Sequence, residues 1–161
     1  MFDVEEINAN NRNIVNNFLK RHWFTTNIIS RGKVIDGTKL DGFIVYDNNE
    51  IVGLITYRID NNECEILSLN SLRENNGIGS LLIEKVIKIS KIKNCSRIFL
   101  ITTNDNIHAI SFYQKRGFYF SNIYINSIKN SRKLKPEIPE IGYNNIPIRD
   151  ELELEIKFKE S

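Results

Sequence analysis

Cysteine and proline are scarce in this chain, net charge is almost absent, and each shortage excludes something. The two cysteines, Cys64 and Cys95, have neither metal-ligand nor redox-motif spacing. A disulfide framework and a zinc cluster are therefore set aside, and two buried, reduced thiols are expected. A formal net charge of +2 gives no pull toward nucleic acid or an anionic membrane. No apolar run approaches the ~20 residues that span a bilayer. The opening residues, Met1 to Glu6, show no basic stretch leading into an apolar one, so no secretory signal is read and a cytoplasmic location is expected. All three prolines fall between Lys129 and Asp150, which marks that stretch as a loop.

What remains is the balance of a globular protein. Of 161 residues, 41% are hydrophobic and 26% charged, enough to bury one core, so a single domain over residues 1–161 is expected. Phe2 to Ile7 reads as a short strand. Asn10 to Trp23 reads as a helix with Ile14, Phe18 and Leu19 on one side. Phe24 to Asp41 reads as irregular. Gly42 to Tyr46 and Ile51 to Ile59 are strand-like runs joined by a turn at Asp47 to Glu50, and Asn61-Asn62 turns the chain again into Glu63 to Asn70. Ile78, Leu81, Leu82, Val86 and Ile89 have helical spacing. Arg97 to Thr103 is a short apolar run typical of a buried strand. Asn106 to Arg116 reads as a helix stopped by Gly117. Phe118 to Asn126 and Glu151 to Phe158 read as strands, the latter alternating Leu152, Leu154, Ile156 and Phe158 against Glu and Lys. The fold class expected is α/β, a mixed sheet flanked by helices.

Chemistry gathers in the middle of this order. A strand through Leu67, Ser68 and Leu69 runs into a loop and then a helix at Gly77 and Gly79. Glycines there permit positive φ and a close approach of backbone N–H groups to a ligand. A helix N-terminus adds unbonded donors and partial positive charge, which suits a pyrophosphate. Without further context, the same turn serves equally well with no ligand. It is not a P-loop, because no Lys-Ser/Thr pair follows Gly79. It is not a dinucleotide fingerprint either, because the first glycine of that motif is missing.

Two stretches together narrow the field. Asn76-Gly77-Ile78-Gly79 resembles the core of motif A of the GNAT N-acetyltransferase superfamily, Gln/Arg-x-x-Gly-x-Gly/Ala. Some thirty residues on, Asn106 to Phe118 is similar to its motif B, Asn-x-x-Ala-x-x-x-Tyr-x-x-x-Gly-Phe, with Asn106, Ala109, Tyr113, Gly117 and Phe118 at the motif positions. The resemblance departs at Glu74, which stands at the Gln/Arg position with Arg73 one step early. A carboxylate near phosphate repels it, so Glu74 must point away or Arg73 must offset it.

The resemblance implies a central, mostly antiparallel sheet of about seven strands flanked by helices. It also implies an acetyl-CoA-dependent N-acetyltransferase acting on a primary amine of a small molecule or peptide, with no metal and no nucleic-acid or membrane partner, and leaves a homodimer open. Acetyl-CoA would be held by Leu67, Ser68 and Leu69 through their backbone, and by Glu74, Asn75, Asn76, Gly77, Ile78, Gly79 and Ser80 around its phosphates. An oxyanion donor is expected from the amide of Leu69 or a neighbour. Asn106 would touch the cofactor arm, although an Asn there also serves as an N-cap. Tyr113 would protonate the departing thiolate, against the plainer reading of a core aromatic beside Phe112 and Phe118. A base is sought at Glu65 or Glu63, two apart on one strand and, barring a bulge, on one face with Leu67 and Leu69. The plainer reading of both is cross-strand pairing with Arg58 or a lysine. Of the two, Glu65 is preferred as nearer the expected thioester. His22 and His108 are read as packing or exposed residues. A different class of function on the same fold is a non-catalytic acyl-CoA-binding or regulatory module.

Overall fold

The Asn pairs 48–49 and 61–62 all adopt left-handed backbone, with φ between 50° and 69°, the twist that closes a tight two-residue hairpin. They join β4 (Asp41–Asp47), β5 (Glu50–Asp60) and β6 (Glu63–Ser71) into an antiparallel meander. The computed structural model describes residues 2–23, 27–73 and 75–159, the side chain of Trp23 excepted. The further elements are β1 (Asp3–Glu6), α1 (Arg12–Trp23), β2 (Asn27–Ser30), β3 (Lys33–Asp36), α2 (Ile78–Ile92), β7 (Arg97–Thr103), α3 (Ile107–Lys115), β8 (Tyr119–Tyr124), α4 (Ile128–Leu134) and β9 (Glu151–Lys157). Seven strands form one mainly antiparallel sheet in the order β1-β4-β5-β6-β7-β9-β8, and β2 and β3 pair separately. Among the described residues no helix is long and apolar enough to cross a membrane.

Contacts gather into two compact units. The first comprises Met1–Ile28, Asp36–Ile98 and Phe158–Ser161. On one face of its strands, Val15, Phe18 and Leu19 of α1 pack with Ile7, Ile44 and Leu54. Val15 fills the place expected for Ile14, which is 49% exposed. The helix is anchored by Arg12, whose guanidinium donates to the Leu40 carbonyl at 2.7 Å, and that anchor fixes which side of α1 turns inward. The opposite face receives α2 through Ile78, Leu82, Ile83 and Val86, all buried. Both cysteines are free and buried, as expected.

The second unit comprises Ile29–Ile35 and Phe99–Lys157, with Leu100, Tyr113, Phe118, Ile128, Ile148 and Leu154 buried in it. Three expectations are corrected across the chain. Residues 24–41 hold the β2/β3 pair where irregular chain was expected. The proline-bearing stretch opens with α4. In β9 it is not the apolar side alone that is covered: Glu151, Glu153 and Glu155 are at most 6% exposed. The burial of Glu153 and Glu151 is supported by donors. Tyr124 Oη and Ser121 Oγ donate to the Glu153 carboxylate at 2.8 and 2.7 Å, and Arg31 reaches Glu151 at 3.4 Å while stacking on the Tyr124 ring. Buried carboxylates persist where such partners replace water.

Candidate active site

The register of β6 against β5 carries the first decisive feature. Thr56 pairs with Ser68 and Tyr57 with Ile66, so Leu67 is an extra residue bulged out of the ladder. A bulge leaves the extra residue unpaired and re-aims the side chains beyond it. Glu63 and Glu65 therefore do not share a face with Leu69, as an unbroken strand would require. Their face is that of Ser68 and Asn70, set by the partners Arg58, Thr56 and Leu54 on β5. Leu54 packs with α1, so the carboxylates lie on the α1 side of the strands.

On that face Glu65 is buried and accepts from Arg58 Nη2 at 3.3 Å. The cross-strand pairing anticipated for these glutamates is thus present, but Glu65 is not solvated. Glu63 is more open and accepts from Arg97 Nε. Between Glu65 and the bulge, the hydroxyls of Thr56 and Ser68 form a buried 2.5 Å hydrogen bond. This hydroxyl pair was not foreseen, because the alternation of β6 gives no local sign of where the extra residue falls.

The loop after β6 has the backbone expected of it. Asn75 (φ 61°) and Gly77 (φ 75°) are left-handed, and Gly77 is the residue before the first turn of α2. A Cβ on Gly77 would meet no protein atom within 4 Å, so the backbone there is open to a ligand. Asn75, Asn76 and Gly77 are exposed, while Ile78 and Gly79 are buried and Ser80 is half-buried. Amides in the first turn of a helix have no intrahelical acceptor, which leaves them for an anion. Glu74 lies outside the described residues. Arg73, expected to offset it, is committed elsewhere: its guanidinium pairs with Asp47 on the β4/β5 hairpin. Gly53 sets the height of α2 over β5. A Cβ there would lie 2.5 Å from Ile78 Cγ2, so only glycine lets the helix start so close. An isolated glycine inside a strand was the available signal.

The second unit holds the motif B helix. Asn106 caps α3, its side-chain oxygen accepting from the Ala109 amide at 3.2 Å. That is the plainer role anticipated for it, and its side-chain amide N–H groups remain as donors. Tyr113 is buried, its ring edge-on to Phe112 and Phe118 at 5.2 and 5.3 Å. Burial pushes its phenol well above the ordinary value, which keeps the hydroxyl protonated. Core packing and proton donation are therefore compatible in this residue. Gly117 (φ 96°) ends the helix, and the Phe118 amide donates back to the Tyr113 carbonyl.

Two features of this unit were not foreseen. Ile107, Ile110, Ser111 and Gln114, with Lys115, line an open depression of about 420 Å³; their i, i+3, i+4, i+7 spacing could have shown the face. Asp105, 2% exposed, accepts from the Tyr143 amide at 3.0 Å. Beside it, Asn104 accepts from the amides of Arg149 and Asp150, both at 3.0 Å. These two side chains fasten the 139–150 segment to the head of α3. His22 is exposed, its ring tilted 39° to that of Phe18 at 4.2 Å, and His108 is exposed as read from sequence.

Residues 13–118 match the model of the acetyltransferase (GNAT) family. The chain belongs to this family. The protein YdhI of Bacillus subtilis (strain 168), described as uncharacterized, is 46% identical over 142 residues, 88% of this chain and 89% of that one. Solved GNAT-fold structures include a Bacillus subtilis acetyltransferase in complex with CoA, at 19% identity, TM-score 0.68 and coverage of 99% of this chain and 100% of that one. Another is a GNAT family acetyltransferase from Elizabethkingia anophelis with acetyl-CoA bound, at 22% identity, TM-score 0.67 and coverage of 98% of both chains. This GNAT chain carries the left-handed turn at Gly77, the bulge at Leu67, the Asn106-capped helix and an Arg73 paired with Asp47.

Proposed function

We propose that the protein transfers the acetyl group of acetyl-CoA to a primary amine of a small molecule or peptide by direct attack in a ternary complex. The observation that carries this reading is the bulge at Leu67 followed by left-handed Asn75 and Gly77 at the head of α2. It breaks a ladder and presents backbone where a thioester arm and a pyrophosphate need hydrogen-bonding groups. Same-fold neighbours solved with CoA and acetyl-CoA support the choice of donor.

In this reading the amine attacks the thioester carbonyl carbon, and an amide in the stretch Leu67 to Leu69 stabilises the oxyanion. The carbon–sulfur bond then breaks. Tyr113 donates its proton to the departing thiolate, and Glu65 takes the proton of the amine directly or through water. Glu63, engaged by Arg97, is the second candidate for that base. A reducing compartment such as the cytoplasm suits the two free thiols.

The pairing of Glu65 with Arg58 favours one other reading, an acyl-CoA-binding or regulatory module that needs the loop but no base. Thiol release from acetyl-CoA across a panel of amines, beside calorimetry of CoA binding, separates the two. Turnover on any amine supports the enzyme; binding with no turnover on any supports the module; no binding overturns both.

A further inference from the structure

A bulge competes with the unbroken register one residue away, and the apolar side chains of β6 do not choose between the two. Past Tyr57, which pairs with Ile66, the ladder runs Thr56 to Ser68, Ile55 to Leu69 and Leu54 to Asn70. Without the extra residue it would run Thr56 to Leu67, Ile55 to Ser68 and Leu54 to Leu69. Opposite residues share a face, so Leu69 would exchange Ile55 for Leu54, both fully buried. The unbroken ladder would also keep the backbone pairing that a bulge gives up. Some other interaction must hold the strand out of it.

Two hydroxyls do discriminate. Thr56 is 0% and Ser68 6% exposed, and their oxygens share the 2.5 Å hydrogen bond. A hydroxyl taken out of water is costly until another polar group meets it. In the bulged register the two meet each other. A one-residue slip turns every side chain beyond it to the other face. Thr56 would then stand opposite Leu67. Ser68 would stand opposite Ile55 on the far face of the sheet, where Ile78 and Leu82 of α2 press on the neighbouring Gly53. The slip would therefore part the hydroxyls and set each against apolar side chains.

We propose that Thr56 and Ser68 form a register lock, two positioning residues that hold the Leu67 bulge open for the acyl donor; its functional half rests on the acetyl transfer proposed for this protein. A buried polar pair can fix register at some cost in stability. The pair acts through the backbone, and neither hydroxyl has to touch a substrate. Keeping Leu67 out of the ladder leaves its amide and carbonyl unclaimed by β5. The stretch Leu67 to Leu69 is where the thioester arm and the oxyanion would find their backbone partners. The same lock keeps Glu65 and Ser68 on one face although three positions separate them. A cross-strand hydroxyl pair thus governs a site that it does not enter.

Thr56→Val and Ser68→Ala each remove one hydroxyl, and the double variant removes both. Three measurements follow them: melting temperature, calorimetric titration with CoA, and cross-strand proton contacts by NMR without ligand. The contacts report whether residue 56 faces residue 68 or Leu67. Each single variant is expected to melt below wild type, with one hydroxyl buried alone, and the double variant to regain most of that loss. The double variant is nonetheless expected to populate the Leu67-paired register. Its apparent CoA affinity should fall about tenfold, in step with the bulged fraction. Thr56→Ser keeps a hydroxyl and is expected to keep both register and affinity. A double variant that stays bulged overturns the lock, as does one that changes register yet binds CoA like wild type. A double variant that does not fold also overturns it, because the pair would then hold the core rather than the register. Wild-type protein that binds no CoA overturns the acetyl-transfer reading instead, and the ligand-free NMR contacts then decide the lock by themselves.

Discussion

Glu65 and Ser68 point to the same face of β6 although three positions separate them, because Leu67 is bulged out of the ladder between them. An unbroken strand would have paired Glu65 with Leu67 on that face. The bulge brings a carboxylate, its Arg58 partner and the Thr56/Ser68 hydroxyl pair to the α1 side, and it interrupts the backbone ladder just before the Gly77 loop.

If Glu65 is the base, Glu65→Gln keeps its shape and its bond to Arg58 while removing its capacity to accept a proton. The acidic limb of the kcat/KM–pH profile is expected to flatten and the plateau to fall by about 10²-fold, the common scale for base assistance. Glu63→Gln is expected to change neither. An unaltered limb in both variants would leave the amine to arrive neutral.

Tyr113→Phe deletes one hydroxyl from a ring held edge-on by Phe112 and Phe118, so the melting temperature should hardly move. kcat is expected to fall by about 10²-fold. The phenol's pKa is raised by burial above its ordinary 10.0, so the proton-donating form persists at least to that pH. The wild-type kcat should accordingly show no alkaline limb below pH 10 arising from this residue. Full turnover in the Phe variant would leave Tyr113 a packing residue.

Gly77→Val tests the binding loop. The position has room for a side chain but a φ of 75°, so the cost to the fold is backbone strain of about 1–2 kcal/mol. Acetyl-CoA should raise the melting temperature of the wild type by mass action and leave the variant's unchanged. Gly77→Asn, which tolerates this φ, should retain more of the fold's stability, and a differential melt in the two variants checks it.

Gly142 lies against the buried carboxylate of Asp105. A Cβ there would sit 2.0 Å from Asp105 Oδ2 and 2.7 Å from Ile148 Cγ1. Gly142→Ala is expected to cost about 1–3 kcal/mol by overpacking and to loosen the 139–150 segment. Limited proteolysis should then cut that segment first, whereas a cut elsewhere would show that Asp105 does not fasten it.

Alkaline stability follows from the buried acids. Burial pushes Cys64 up to about 12 from 9.0, and Tyr57 to about 12 from 10.0. Both groups keep their protons in the folded chain and lose them in the unfolded one, so the unfolded state binds fewer protons above pH 9 and stability declines with pH. The melting temperature is expected to be flat from pH 7 to 9 and to fall beyond, with Cys64→Ala shallower than wild type in its first part. A fall of equal depth in both would point away from the thiol.

Local pattern alone determined much of this protein. The Asn-Asn turns, the helical spacing of α2, the glycine that starts it and the one that ends α3 are short-range signals, because each is written in the φ a residue tolerates or in which face repeats every third or fourth position. The two motifs, taken with their spacing, located the loop and the helix on which the proposed chemistry rests. Long-range register decided what lay beyond that. The bulge at Leu67 exists because β5 and β6 pair one residue out of step past Tyr57, and nothing in the run Ile66 to Leu69 marks it. The anchoring of Arg12 on Leu40 chose Val15 over Ile14 for the core. The burial of the glutamate face of β9 as well as its apolar face required Tyr124, Ser121 and Arg31 to arrive from distant segments with donors. A periodic pattern states which residues can share a face; only the partners that fold against it decide which face is buried.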